Sequence, residues 1–324
     1  MPPHTPLPRW GIVSTIKAPA REVLMFAAYH LEQGAHRVCI YLDAPCPEAF
    51  PYLKAHPKVR VIDCDAAYWK RQPRTRPDAH QLRQTYNANR AYRKQCKDLD
   101  WLTHIDVDEF LWSVAPIAHE LAALPNEAIT ARVYPAEALA GSDRYFRTAV
   151  PKGEQLRAMT QTLYPNWGAY VAGGMLSHRV GKIFVRTQVE DLKIRIHQCF
   201  VGELKNPCAV DLKNIDLCHF HARDWDHWIA QYRYRHSHGA YRANLKPFRA
   251  FGPDGPTMHE ALSELEQRRG EAGLRAFYEE FCANTAARRA QLREFGMLRD
   301  VDLAREKTLE KHFPTYANAV AQIQ

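Results

Sequence analysis

Short apolar runs alternate with amphipathic stretches through the early part of the chain. GIVSTI (11–16) reads as a buried strand, and residues 21–33 place Val23, Phe26, Ala27 and His30 near one face at helical spacing, with Gly34 suited to end the helix. RVCIYL (37–42) is a second strand, residues 49–55 a short helix, and residues 59–62 a third strand. This strand–helix–strand–helix–strand order predicts a parallel sheet with right-handed crossovers, the kind of half-domain that binds nucleotides beyond the carboxyl ends of its strands. A longer helix, capped by Asp78, is expected to run to about Lys97.

The stretch 101–112, WLTHIDVDEFLW, is where the apolar pattern turns acidic. If the strand continues through it, Asp106 and Asp108 share a face, since alternate residues of a strand do. Two carboxylates on one side suit a hard cation such as Mg²⁺ or Mn²⁺. The alternative is that the acids open the next helix, whose N-terminus also favours them. Thr15 and Lys17 follow the first strand and Asp43 the second, so all could converge with Asp106 on one crevice. Arg83, Gln84, Asn87 and Arg90 form a polar stripe on the helix between, suited to a phosphate or nucleoside, although a solvated helix face would look the same.

Further on, residues 116–124 predict a helix and AITARVY (128–134) a strand that ends at Pro135 and Glu137. Residues 138–180 read as irregular, and strands resume at 182–186, 192–197 and 216–221. In the last of these His219 and His221 lie two apart and would share a strand face, as metal or phosphate contacts do. Asp224 reads as the N-cap of a helix whose Trp225, Trp228 and Tyr232 form a packing stripe. Beyond the prolines of 253–256, helices are expected at 258–269, 271–283, 286–295 and 301–312. The expected division is an α/β domain over residues 1–222 and a C-terminal helical extension over 223–324.

Composition narrows this picture. At 324 residues, 46% of them hydrophobic, the chain suffices for a large α/β domain with an appendage. The longest nearly apolar run, 23–29, falls far short of the ~20 residues of a membrane span. No signal-peptide pattern opens the chain, so the expected location is the cytoplasm, with a peripheral position on the inner membrane face left open. None of the eight cysteines forms a C-x-x-C pair, and the grouping of Cys199, Cys208 and Cys218 with His219 and His221 fits no standard zinc spacing. The net charge of +8 is concentrated at 70–97, which carries nine Lys or Arg residues. No recognisable nucleic-acid module accompanies it, so a nucleic-acid partner is not expected. There is also no Gly-x-Gly-x-x-Gly after the first strand and no Walker loop, which speaks against a Rossmann dehydrogenase or a P-loop enzyme.

Several motifs in order resemble a known group. STIKAP (14–19), AAYHLEQGA (27–35), the strand ending at Asp43, NANRAYR (87–93), HIDVDEFLW (104–112), GKIFVR (181–186) and LCHFHARDW (217–225) are similar to those of family 2-like glycosyltransferases of the GT-A fold. The resemblance is closest to a bacterial group with an Asp-x-Asp-Glu-Phe signature, and it covers residues 10–245. It implies a nucleotide-diphospho-sugar transferase fold, mostly parallel with helices on both faces, plus the helical extension. It also implies transfer of a sugar from a UDP- or GDP-sugar to a hydroxyl of a glycan or lipid-linked acceptor, with inversion, in surface polysaccharide or glycoconjugate synthesis.

Residue by residue, the resemblance places Thr15 and Lys17 at the nucleoside and Asp43 at the base. Asp106 and Asp108 match the pair that holds the ribose and, through Mn²⁺ or Mg²⁺, the diphosphate. His221, or its neighbour His219, falls where a late histidine reaches the metal, and Lys182 and Arg186 where phosphate is met. The family's late Glu-Asp, which supplies the base, has no clear copy. Glu137 and Asp224 are the candidates for it. Two other readings are a nucleotidyltransferase or phosphatase using the same paired aspartates, and a binding module of the same fold without turnover.

Overall fold

The computed structural model describes residues 6–239, 241–243 and 255–321. Positions 253 and 254 of the proline-bounded break lie outside them. The chain forms two compact units, one of Met1–Tyr134, Gly181–Leu217 and Ala304–Gln324, the other of Pro135–Val180 and Cys218–Leu303. This differs from the expected single division at 222, because the last segment belongs with the first unit.

The first unit opens with β1 (Trp10–Ile16), α1 (Ala20–Glu32), β2 (Arg37–Leu42), α2 (Phe50–Ala55) and β3 (Val59–Asp63). It continues with α3 (Ala66–Lys70), α4 (His80–Gln95), β4 (Trp101–His104), β5 (Glu109–Ser113), α5 (Ile117–Ala122) and β6 (Thr130–Ala138), the last of which runs on into the second unit. In the second unit are β7 (Tyr145–Thr148) and α6 (Leu156–Leu163). The chain then returns to the first unit for β8 (Lys182–Arg186), the small sheet β9 (Leu192–Ile194), β10 (Cys199–Val201) and β11 (Leu204–Lys205), and for β12 (Ala209–His219), whose last two residues belong to the second unit.

In the first unit the strands lie in the order β6-β8-β4-β1-β2-β3. β1 pairs in parallel with both β2 and β4, and β2 with β3, whereas β8 is antiparallel to β4 and β6. The fold class is therefore α/β, a mixed central sheet flanked by helices and compatible with a Rossmann-like arrangement. Alternation along the strands decides the two faces. Ile12, Ile16, Val38, Ile40 and Leu42 join Val23, Phe26 and Ala27 of α1 in one core, while Val13, Cys39, Tyr41 and Leu102 join Ala88 and Ala91 of α4 in another. The chain moves outward from β1 through β2 to β3, then returns to the other side of β1 as β4. That reversal is a topological switch point, where an open sheet leaves a crevice at its carboxyl edge.

The second unit contains α7 (Trp225–Ser237), α8 (Met258–Cys282), α9 (Ala286–Glu294) and β13 (Leu298–Asp300), and its strands run β13-β7-β6. Its core gathers Trp228, Tyr232, Phe277, Tyr278, Phe281 and Tyr164. α8 breaks at Gly270, whose φ of 55° interrupts the helix at the boundary expected between 269 and 271. Two further helices, α10 (Arg305–His312) and α11 (Pro314–Ala321), return to the first unit. Leu309 and Phe313 enter the α1 core, and Lys311 and His312 pair with Glu32 at 2.8 and 2.9 Å. That apolar pair explains why the tail is not one extension.

Other expectations need adjusting. Residues 138–180 are partly regular, with β7, α6 and a turn at 172–174. β6 does not end at Pro135 but extends through Ala138, and β12 begins at Ala209 and stops at His219. Among the described residues no helix is long and apolar enough to cross a membrane.

His30 of α1 is fully buried. One ring nitrogen lies 2.9 Å from the Phe26 carbonyl and the other accepts from the Leu111 N–H at 3.3 Å, an arrangement that needs the neutral ring. Burial is the main cause of its low pKa of about 3 against 6.5. The unfolded chain binds a proton here below pH 6.5 and the folded chain does not, so stability is complete above 6.5 and falls as the pH drops toward 3. Full expression of the shift is on the order of 5 kcal/mol. In urea unfolding, the advantage of wild type over His30→Gln is expected to shrink between pH 7 and pH 4. An equal advantage at both values would assign the acid sensitivity elsewhere.

Candidate functional site

The carboxyl ends of β1, β2 and β4 are covered by the first turns of α4. The polar stripe expected there faces the sheet, not solvent: Arg83, Gln84 and Asn87 are all buried. Arg83 donates through Nε and Nη2 to both oxygens of Asp43, at 2.7 to 2.9 Å, and through Nη1 to the carbonyls of Pro77 and Asp78. The Asp43 side chain is 1% exposed and also meets Arg76 at 3.1 Å and His80 at 3.3 Å. Burial alone would raise its pKa, but His80 and Arg83 outweigh that and hold the carboxyl well below its ordinary value. Asp78 does not cap the helix. The N-cap is Ala79 with no side-chain cap, and Asp78 serves by its carbonyl instead.

One turn on, the Asn87 amide donates to Thr15 Oγ1 at 3.1 Å and accepts from the Tyr68 hydroxyl at 2.7 Å. Lys17, just past β1, is exposed. Arg90 completes the stripe by donating to the Tyr41 hydroxyl at 3.2 Å. The stripe therefore ties α4 to β1 and β2 at three levels.

The acidic stretch departs from the expected geometry. β4 stops at His104, and residues 106–109 close a tight turn before β5. The Glu109 N–H donates to the Asp106 carbonyl at 3.1 Å, and the Asp106 N–H donates to Glu109 Oε2 at 2.8 Å. Asp106 and Asp108 thus share a turn, not a strand face. Gln84 bonds one oxygen of Asp106, and Lys182 Nζ meets the other at 2.7 Å and Glu109 at 3.3 Å. Lys182 and Glu109 are both fully buried, while Asp106 and Asp108 are half-buried. Burial lowers the pKa of Lys182, but Asp106 and Glu109 more than reverse that and keep it a cation.

The fit to a divalent ion follows from the donor set. Mg²⁺ and Mn²⁺ take hard oxygen ligands and are commonly held by one or two carboxylates together with substrate phosphates. Asp106 and Asp108 on one turn supply that kind of donor.

Gly181 sets where Lys182 begins. Its φ is +74°, and an added Cβ would lie 1.9 Å from the Val133 carbonyl oxygen on β6. His104, in the quoted motif but given no role by the sequence, is 3% exposed, with its pKa lowered by burial to about 4.

Of the remaining candidates, Glu137, Asp224, His219 and His221 lie in the second unit, and Arg186, Cys199 and Cys208 in the first. Glu137 is buried within β6, pairs with Arg147 at 2.5 Å, and accepts from the Leu176 and Ser177 N–H groups at 3.2 and 2.5 Å. Burial raises its pKa, but Arg147 and Ser177 outweigh this and leave it a weaker base than a free glutamate. Asp224 is exposed and caps α7, accepting from the His227 N–H at 2.7 Å. Both candidates for the base hold structure in place. His219 ends β12 and His221 lies beyond the strand, so they do not share a strand face as expected, although their rings are 5.3 Å apart. His221 bonds the Tyr241 hydroxyl at 3.1 Å, and its pKa is pushed down chiefly by burial. Arg186 stacks over Trp101 and bonds the Ala128 carbonyl at 2.7 Å, away from any phosphate role. Cys199 is buried beside Thr130, Cys208 is exposed, and all eight cysteines are free thiols.

No protein-family model matches this chain, and comparison with curated proteins finds no match either.

Removing a buried ion-pair partner strands the other charge, at a cost of about 3–5 kcal/mol. Lys182→Met is expected to lower unfolding free energy by that amount in urea denaturation. Gly181→Ala is expected to destabilise as well, since it strains φ and crowds β6. Little change in either would mean that the acidic turn does not depend on Lys182.

Proposed function

We propose that the chain is a nucleotide-sugar-dependent glycosyltransferase of the GT-A type, assisted by Mn²⁺ or Mg²⁺. The observation that carries this reading is the gathering of Thr15, Asn87, Gln84, Asp106 and Lys182 from separate elements at the switch point of the sheet. Open α/β sheets take their ligands at this place. The ordered motifs of the sequence support the same class.

In this reading Thr15 and Asn87 border the nucleoside, and Asp106 and Asp108 would hold the cation. When bound, the cation would offset the charge that grows on the departing diphosphate. Lys182 fixes Asp106 in one orientation, so the carboxylate needs little rearrangement when a ligand arrives. Asp43 takes a different part from the one the resemblance implies: its oxygens serve Arg83, Arg76 and His80, and it orders the entrance of α4. The acceptor is a hydroxyl of a glycan or lipid-linked saccharide.

A second reading, a binding module without turnover, gains from the structural employment of both Glu137 and Asp224. Donor binding with neither transfer nor hydrolysis would select it.

Calorimetric titration with UDP and GDP, with and without Mn²⁺, checks the first reading. One of the two is expected to bind only with the metal, and Asp108→Ala is expected to remove that dependence in a folded protein. Absence of metal-dependent binding to either diphosphate would refute the assignment.

A further inference from the structure

Building on the nucleotide reading, we propose that His104 is a ligand-contacting residue of the crevice and takes a hydroxyl group of the bound nucleotide or of its sugar. The argument starts from the register of the sheet. His104 pairs with Val13 in the parallel β1–β4 ladder, and alternation puts its side chain on the same face as Leu102 and Val13, the face covered by α4. Two residues beyond Val13 on that face is Thr15, held by Asn87 of α4. Two residues beyond His104 is Asp106, held by Gln84 of α4. The imidazole therefore lies one strand step inside the two bonds that fasten α4 to the carboxyl edge of the sheet.

Both of its ring nitrogens are buried, and neither has a hydrogen-bond partner among the described residues. An unsatisfied buried polar atom costs about 1–3 kcal/mol, and folded proteins rarely leave one without a reason. His30, equally buried on the other side of the sheet, shows the ordinary solution, with both nitrogens bonded to backbone groups. Among the described residues none supplies such a group to His104, which leaves both nitrogens for a bound molecule. A neutral imidazole offers one donor and one acceptor, and a hydroxyl can answer either nitrogen in either tautomer. A phosphate oxygen only accepts, so it can answer one of the two nitrogens but not the other. Two sources of hydroxyl are available in a nucleotide sugar, the ribose and the transferred sugar.

The test compares wild type with His104→Phe, which keeps a ring and removes both nitrogens. Binding of UDP or GDP, whichever wild type takes with Mn²⁺, is measured beside the 2′-deoxy and 3′-deoxy forms and the corresponding glucose conjugate. A ribose contact is expected to weaken the parent diphosphate about tenfold in the variant, the scale of one net hydrogen bond, while leaving one deoxy form unchanged. A contact to the transferred sugar is expected to weaken only the glucose conjugate. Equal binding of every ligand by a folded variant overturns the proposal and leaves a buried water as the partner. If His104→Phe does not fold, long-range ¹⁵N spectra of the wild-type ring replace it: a shift of one ring nitrogen on ligand addition supports the contact, and unchanged nitrogens overturn it. Wild type that binds no diphosphate at all overturns the nucleotide reading and this one together, a result distinct from equal binding.

Discussion

The bond between Asp43 and Arg83 is the constraint on which the rest of the first unit's edge depends. A carboxylate at the end of β2 and a guanidinium on the first turn of α4 are both removed from water, and their planar groups meet through Nε and Nη2. Such a pair gains little over an apolar replacement, but it admits one geometry. With that geometry set, helical spacing carries Gln84 to Asp106 and Asn87 to Thr15. α4 is thereby fixed in rotation as well as in position. A helix without a side-chain N-cap obtains its rigidity here from the sheet instead.

The acidic turn follows a related logic. Three carboxylates within four residues would repel one another in a dry setting, and the buried ammonium of Lys182 lets Asp106 and Glu109 coexist. Lys182 comes from β8, distant in sequence, and glycine at 181 allows its strand to press against β6. The turn is therefore specified by two neighbouring residues of another strand as much as by its own. Glu109, accepting from the Asp106 amide, orients that residue from within the turn.

Much of the fold was legible because it is locally encoded. β1 through β3, with the helices between them, show their period plainly in RVCIYL and its neighbours, and the break of α8 at Gly270 is visible in the glycine itself. The acidic stretch left a continued strand and a helix start both open, because residue type does not reveal a turn closed by a side chain three residues on. The stripe on α4 could not be told from a solvated face because buried and exposed polar residues share one spacing. Lys182 was legible as a basic residue near the site, but not as the partner of Glu109, since long-range ion pairs leave no periodic trace. His104 had a weak signal: two residues before Asp106 at a strand end, it had to face the same way as the apolar Leu102.

The two units are interleaved along the chain, with crossings after residues 134, 180, 217 and 303. A ribosome makes the chain from one end only, so β1 to β5 emerge long before β8, which lies between β4 and β6, and before the helix that covers α1 near Glu32. The β4 edge of the first unit therefore stays open until β8 has been made, and α1 stays uncovered until α10 follows. Contacts so far apart in sequence slow folding, and exposed edges in the interval invite aggregation. The interleaving thus adds an interval during synthesis in which the first unit is open to wrong pairing.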